Sequence, residues 1–219
     1  MVDLRLYALL DPERAGGHDL PALGREVVAG GATLVQLRDK HGSTRRLIEQ
    51  TRAIKAAVAS SGVPVLVNDR VDVALAAGAD GVHVGQDDMP AAEARRLLGP
   101  SAVIGLSVKT LAEAEAAPLE ELDYVCVGGV FVTTSKDNVK APIGIAGMKK
   151  LLATFRARAS KFPVGAIAGI DETNAGEVVS AGADGVAIIS ALSLAPDPKA
   201  AAQRLRGIID RSLAARSAL

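Results

Sequence analysis

The sequence predicts an α/β protein, a single (β/α)8 TIM barrel spanning residues 1–219. Short apolar runs alternate with longer, alanine-rich helical stretches along the whole chain. The runs carry almost no polar residue on either face, as in a parallel sheet covered by helices. They number eight, in a length that suits one barrel of about 200 residues or more. Eight such units favour closure into a barrel over an open doubly wound sheet.

The elements follow in order. Arg5–Leu10 opens the series, and Gly30-Gly31-Ala32 leads into the second run, Thr33–Leu37. A helical stretch over Thr44–Ser60 precedes Pro64–Val67, and Gly81–Val84 is followed by the stretch Pro90–Leu98. Val103–Val108, the stretch Thr110–Ala116, the run Tyr124–Phe131 and the stretch Ile145–Ala159 come next. Val164–Ile167, the stretch Glu172–Ser180, the run Gly185–Ile189 and the stretch Pro198–Ala215 complete the pattern. Ala77-Gly78-Ala79-Asp80-Gly81-Val82 recurs as Ala181-Gly182-Ala183-Asp184-Gly185-Val186. In each, glycine ends a helix in the left-handed conformation and the chain turns directly into a strand. The equivalent positions of Asp80 and Asp184 point to a structural turn role, and Asp171 reads as the N-cap of the seventh helix. No linker-like or low-complexity stretch divides the chain, which therefore reads as one domain.

Composition narrows the function classes. With 25 Lys+Arg against 25 Asp+Glu, the chain lacks the basic excess of a nucleic-acid-binding protein. Tyr7, Tyr124, Phe131, Phe155 and Phe162 are too few for a base-stacking platform. A hydrophobic content of 49% supports a sizeable core. The charged start at Asp3 and Arg5 argues against a signal peptide, and no stretch approaches the roughly 18 apolar residues of a membrane span. Cys126 is alone, so no intrachain disulfide forms, and its apolar run marks it as a small buried hydrophobe. A cytoplasmic protein without nucleic-acid or membrane partners is expected.

In a barrel, chemistry belongs at the C-terminal ends of the strands. Gln36, Arg38 and Lys40 share parity at the end of the second strand, so an amide and two cations aim one way. The third strand ends in Asn68-Asp69-Arg70 and the fourth in Gln86-Asp87-Asp88. Asp69 or Asp88 alone suits a helix N-cap; together, on neighbouring strands, they suit Mg²⁺ shared with phosphate oxygens. Arg38, Lys40, Lys136 and Mg²⁺ set against Asp69 and Asp88 leave a net charge of about +3, opposing the roughly two to three negative charges of a diphosphate ester. After the sixth strand, Gly128-Gly129-Val130-Phe131-Val132-Thr133-Thr134-Ser135-Lys136 offers hydroxyls and backbone N–H groups to a second phosphate, and polar Lys136–Lys140 suits a lid. Gly169 after the seventh strand and Ile189-Ser190 after the eighth occupy the recurrent barrel phosphate site. His83, inside the fourth strand, is expected to be a packed histidine, and no Ser or Cys pairs with a His as in a nucleophilic triad. His41 is placed to help close the Arg38–Lys40 segment.

Gln36-Leu37-Arg38-Asp39-Lys40, Asn68-Asp69-Arg70-Val71-Asp72, Gly81-Val82-His83-Val84-Gly85-Gln86-Asp87-Asp88 and Thr133-Thr134-Ser135-Lys136 together resemble the thiamine-phosphate synthase family, in order and spacing, from Leu6 through Ser190. The resemblance implies a (β/α)8 barrel that joins a hydroxymethylpyrimidine diphosphate to a thiazole phosphate, releasing diphosphate. It implies Gln36, Arg38, Lys40, Asn68, Ser107 and Lys136 as pyrimidine diphosphate ligands, and Asp69 and Asp88 as carboxylates for Mg²⁺. It implies Thr133, Thr134, Ser135, Gly169, Ile189 and Ser190 around the thiazole phosphate. The implied reaction is dissociative, with Arg38, Lys40 and Lys136 stabilising the leaving diphosphate and no protein nucleophile. With aromatics scarce, Gln36, Asn68 and Ser107 are expected to hold the pyrimidine more than ring stacking does.

Three positions depart from the family pattern. Gly129 and Val132 stand where the family usually has Pro, and Ala168 stands where it commonly has Gly. Two other readings compete: a thiazole tautomerase-like isomerase and a non-catalytic phosphometabolite-binding barrel. Neither needs the metal pair together with the diphosphate grip.

Overall fold

In a computed structural model that describes residues 1–133 and 141–218, the chain forms a closed parallel barrel with strands in the order β1 to β8. The strands are β1 (Leu6–Leu10), β2 (Leu34–Leu37), β3 (Val65–Asn68), β4 (Gly81–Val84), β5 (Val103–Val108), β6 (Tyr124–Val127), β7 (Val164–Ile167) and β8 (Gly185–Ile188). Around them lie α1 (Leu20–Ala29), α2 (Thr44–Val58), α3 (Val71–Ala77), α4 (Ala91–Leu98), α5 (Leu111–Ala116), α6 (Gly144–Arg158), α7 (Ala175–Ser180), α8 (Ser190–Ser193) and α9 (Pro198–Ser217). Tyr7 pairs with Leu34 on one side and Ala187 on the other, which closes the ring.

Strand parity divides the core in two. Leu6, Ala8, Val35, Val67, Val82, Ile104, Val125 and Val186 point outward and pack under the helices. Tyr7, Leu9, Leu34, Leu66, Tyr124, Cys126 and Ala187 point inward and fill the barrel. Room for the inward Tyr124 ring comes from Gly105 on β5, where an added Cβ would lie 2.1 Å from Tyr124 Cζ.

The structural role of Asp80 and Asp184 holds, and it extends to two more residues. Asp80 accepts from the Val65 N–H (2.7 Å) at the start of β3, and Asp184 from the Val164 N–H (2.8 Å) at the start of β7. Asp123, just before β6, accepts from the Ile104 N–H of β5 (2.8 Å). Thr33, just before β2, exchanges hydrogen bonds with Leu6 of β1, each 3.2 Å. Each clip thus ties the foot of an odd strand to the foot of the next even one. The carboxylates are held in turn by Lys55 (2.6 Å), Arg95 (2.7 Å) and Arg156 (2.6 Å).

Two boundaries differ from the sequence expectation by three residues or more. The sixth strand stops at Val127 rather than Phe131, because Gly129 turns the chain at φ 73°. Val130 and Phe131 instead donate to Ile167 (3.3 Å) and Ala168 (3.1 Å), leaning the loop over the end of β7. The seventh helix starts at Ala175, after Asn174 as N-cap, and not behind Asp171. The Asp171 carboxylate accepts from the Thr173 N–H (2.8 Å) and hydroxyl (2.6 Å), so it holds the preceding turn. Among the described residues, no helix is long and apolar enough to cross a membrane.

Candidate active site

Two hollows of about 570 and 640 Å³ open at the strand feet, among the clips and their cations. At the opposite, C-terminal rim a cavity of about 450 Å³ lies among the loops after β6, β7 and β8. Thr133, Gly169, Ile189 and Ser190 of the sequence-derived set line it, together with Ala168 and Val132. A narrower cleft beside it is lined by Gln36, Arg38, Asn68 and Ser107, and the two share Ile167 and Ala187 as a common wall. Thr134, Ser135, Lys136 and the proposed lid over Lys136–Lys140 lie outside the described residues.

The charged groups gather at the cleft mouth. Arg38, almost fully buried, forms an ion pair with Asp11, which follows β1 and is 2% exposed. Sequence reasoning passed over Asp11, although a carboxylate directly after a strand is the same signal that singled out Asp69. Lys40 reaches across to Asp69 in a second pair. Two cations therefore face three carboxylates among these described residues, a correction to the sequence tally, which omitted Asp11.

Neither Asp69 nor Asp88 is a helix N-cap: α3 starts after Arg70 without a side-chain cap, and α4 starts after Pro90 without one. Asp69 sits at φ 61°, with the Arg70 N–H donating to the Asn68 carbonyl (2.7 Å) in a γ-turn around it. This left-handed turn at a non-glycine residue directs the carboxylate across the rim towards Lys40 and Asp88. Asp88 is fixed by the Gly85 N–H (2.7 Å). Burial raises the Asp69 pKa, with the Lys40 ammonium pulling it down and neighbouring Asp88 pushing it up. Side-by-side carboxylates of this kind make an all-oxygen donor pair suited to a hard cation. No group of three or more His, Cys, Asp or Glu that could hold a metal ion occurs among the described residues.

Below the mouth, His83 does more than fill space. Its Nδ1 lies 2.9 Å from Tyr124 Oη and its Nε2 2.9 Å from Ser107 Oγ. Tyr124 Oη is 2.9 Å from Tyr7 Oη, which receives the Gln36 side-chain N–H. Burial holds both phenols well above their usual pKa, so both are neutral. Sequence reasoning missed this cluster because its members lie on five different strands; only their inward parity marked them.

The sequence signature of the thiamine monophosphate synthase family matches residues 6–192. A thiamine-phosphate synthase of Agrobacterium fabrum is 52% identical over 98% of this chain and 98% of its own length. One from Chloroflexus aurantiacus is 46% identical over 95% and 94%. Among solved structures, a thiamine phosphate pyrophosphorylase from Pyrococcus furiosus superposes with a TM-score of 0.83 at 37% identity, covering 97% of this chain and 98% of that one.

Proposed function

From a chain that belongs to the thiamine monophosphate synthase family and is an enzyme of that type, we propose that the two adjoining cavities are its two substrate sites. The pyrimidine of 4-amino-5-hydroxymethyl-2-methylpyrimidine diphosphate seats at the mouth of the narrow cleft, whose own volume is about 20 Å³, and the wider cavity takes 4-methyl-5-(2-phosphooxyethyl)thiazole. The observation that carries this reading is the shared wall of Ile167 and Ala187: two pockets meet there, with the charged cluster above only one of them. One substrate thus brings its diphosphate to the charged rim while the other reaches in from the side.

In this reading Gln36, Asn68 and Ser107 hold the pyrimidine ring, and Arg38, Lys40 and Lys136 grip its diphosphate. Thr133, Thr134, Ser135, Gly169, Ile189 and Ser190 surround the thiazole phosphate. Asp69 and Asp88 would hold Mg²⁺, which when bound supplies positive charge to the departing diphosphate. Counting Asp11, and adding Lys136 and Mg²⁺, the rim carries about +2, still matched to a diphosphate of two to three negative charges. Reaction breaks the bond between the pyrimidine methylene carbon and the diphosphate oxygen, the electron pair leaving with oxygen. The methylene cation is stabilised by the electron-rich aminopyrimidine. The thiazole nitrogen lone pair then forms the new C–N bond, giving the thiazolium of thiamine phosphate. Arg38, oriented by Asp11, and Lys40 stabilise charge that grows on the leaving group, and the shared wall holds carbon and nitrogen in reach of one another.

The test is a coupling assay on the purified protein, with thiamine phosphate measured directly. Product forms with Mg²⁺ and disappears on chelation; absence of product under saturating substrates overturns the reading. Asp69→Ala and Asp88→Ala should each lower turnover by about 100-fold or more, in the range reported for lost transition-state charge stabilisation. Near-normal rates in both variants would remove the metal assignment while leaving the substrates standing.

A further inference from the structure

Lys109 stands directly after β5 at the C-terminal rim and takes part in neither ion pair of the cleft mouth. Its backbone is fixed at the start of α5. The Glu113 carboxylate accepts the Lys109 N–H (2.6 Å), and Thr110 Oγ1 caps the helix by accepting the Glu113 N–H (3.2 Å). The side-chain stem is fixed as well. Gly128, just after β6, has no side chain, and a Cβ there would lie 3.2 Å from Lys109 Cγ and 3.3 Å from its Cε. The stem therefore lies across Gly128, whose own N–H donates to the Val108 carbonyl (2.8 Å) and holds the two strand ends side by side.

The ammonium at the end of this stem is unspent. Arg38 is matched by Asp11 and Lys40 by Asp69, whereas among the described residues the Lys109 ammonium has no hydrogen bond or ion pair. Glu113, the acid closest to it in sequence, gives its carboxylate to the backbone instead. A half-buried cation with a packed stem and a free head has given up side-chain freedom without an electrostatic return. An anion supplies that return.

Topology indicates which anion. Ser107 and Cys126 are paired across β5 and β6, and both line the narrow cleft. Lys109 and Gly128 stand two residues further along the same strands, with the same inward parity. The Lys109 stem thus crosses from β5 to β6 at the lip of that cleft. In a closed ring of eight strands β6 lies opposite β2, which carries Arg38 and Lys40 at its end. We infer that Lys109 is a further ligand of the diphosphate, gripping it across the mouth from Arg38 and Lys40 and stabilising the charge it gains as the carbon–oxygen bond breaks. The inference rests on the reading of the narrow cleft as the pyrimidine diphosphate site, and it adds that the grip is two-sided.

The experiment measures inhibition by inorganic diphosphate with Mg²⁺, and the kinetic constants of both substrates, on wild type, Lys109→Met, Lys109→Arg and Gly128→Ala. Methionine keeps a stem against Gly128 and removes only the charge, so the thermal midpoint of the ligand-free protein should not move. Lys109→Met should weaken diphosphate inhibition about tenfold and lower kcat/KM for the pyrimidine diphosphate by at least as much, as for a lost hydrogen bond to a charged group. The KM for thiazole phosphate should stay unchanged, and Lys109→Arg should recover most of the loss. Gly128→Ala crowds the stem, so it should weaken diphosphate inhibition in wild type and do nothing further in Lys109→Met. An active wild type that diphosphate does not inhibit, or a Lys109→Met variant that matches wild type, overturns the inference alone. So does a loss confined to the KM for thiazole phosphate, which would assign Lys109 to the other anion. A wild type without coupling activity overturns the pyrimidine reading itself, and this inference with it.

Discussion

Ala168 stands at φ 95°, a left-handed conformation in which an L side chain costs about 1–2 kcal/mol, and it lines the wider cavity. Its place is set from outside: the Phe131 N–H bonds its carbonyl, and the next residue, Gly169, has no room for a Cβ, which would lie 2.3 Å from the Val132 carbonyl. Ala168→Gly should therefore raise stability by about 1 kcal/mol, read as a shift of the urea midpoint without a change of slope. At this scale the sequence was most legible where charge stood at a strand end. Arg38, Lys40, Asp69 and Asp88 do converge on one rim. It was least legible where a role depends on partners: Arg38 is matched by Asp11, 27 positions away, and His83 by Tyr124, 41 positions away. No spacing rule in a single chain reports such pairs.

At the scale of elements, the strands were legible because covered parallel strands read as bare apolar runs. Their ends were not: the apolar run through Phe131 is continuous, yet the positive φ at Gly129 diverts it to another strand. The clips give the strands a graded dependence on single residues. Asp184 takes one strand N–H and two arginines, Arg156 and Arg216, whereas Asp80 takes one N–H and Lys55. Asp184→Ala should lower stability by about 2–3 kcal/mol and Asp80→Ala by about 1–2, measured by equilibrium denaturation, with coupling activity unchanged at a temperature where both are folded. Equal losses would mean that the second arginine contributes nothing.

For the molecule as a whole, the two cores account for the fold without help from the rim. Chelation should leave the thermal midpoint of the ligand-free protein unchanged. Mg²⁺ together with inorganic diphosphate should raise it by mass action, through about 2.7 kcal/mol of added stability at a hundredfold excess over the dissociation constant. Either ligand alone should do much less, since the carboxylate pair and the cations serve the two together. A fall in midpoint on chelation would instead mark the Asp69–Asp88 pair as part of the scaffold. The closed barrel, the chemistry at its C-terminal rim and the turn role of Asp80 and Asp184 were legible from the count of units and their spacing; the clips through Thr33 and Asp123 were not, since each depends on a partner on another strand.

The clips have a modular consequence. Every clip joins an odd strand to the even strand after it, and the helix before each of the last three pairs supplies the cation, as α2 does through Lys55, α4 through Arg95 and α6 through Arg156. The chain is thus a set of two-strand units, with seams directly after β2, β4, β6 and β8. Arg38 and Lys40, Asp88, Thr133 and Ser190 all stand on those seams. Insertions in these loops leave every clip untouched, because the clips lie at the opposite rim, whereas Asp11, Asp69 and Gly169 stand on turns inside the units and tie each unit's own fold to the site.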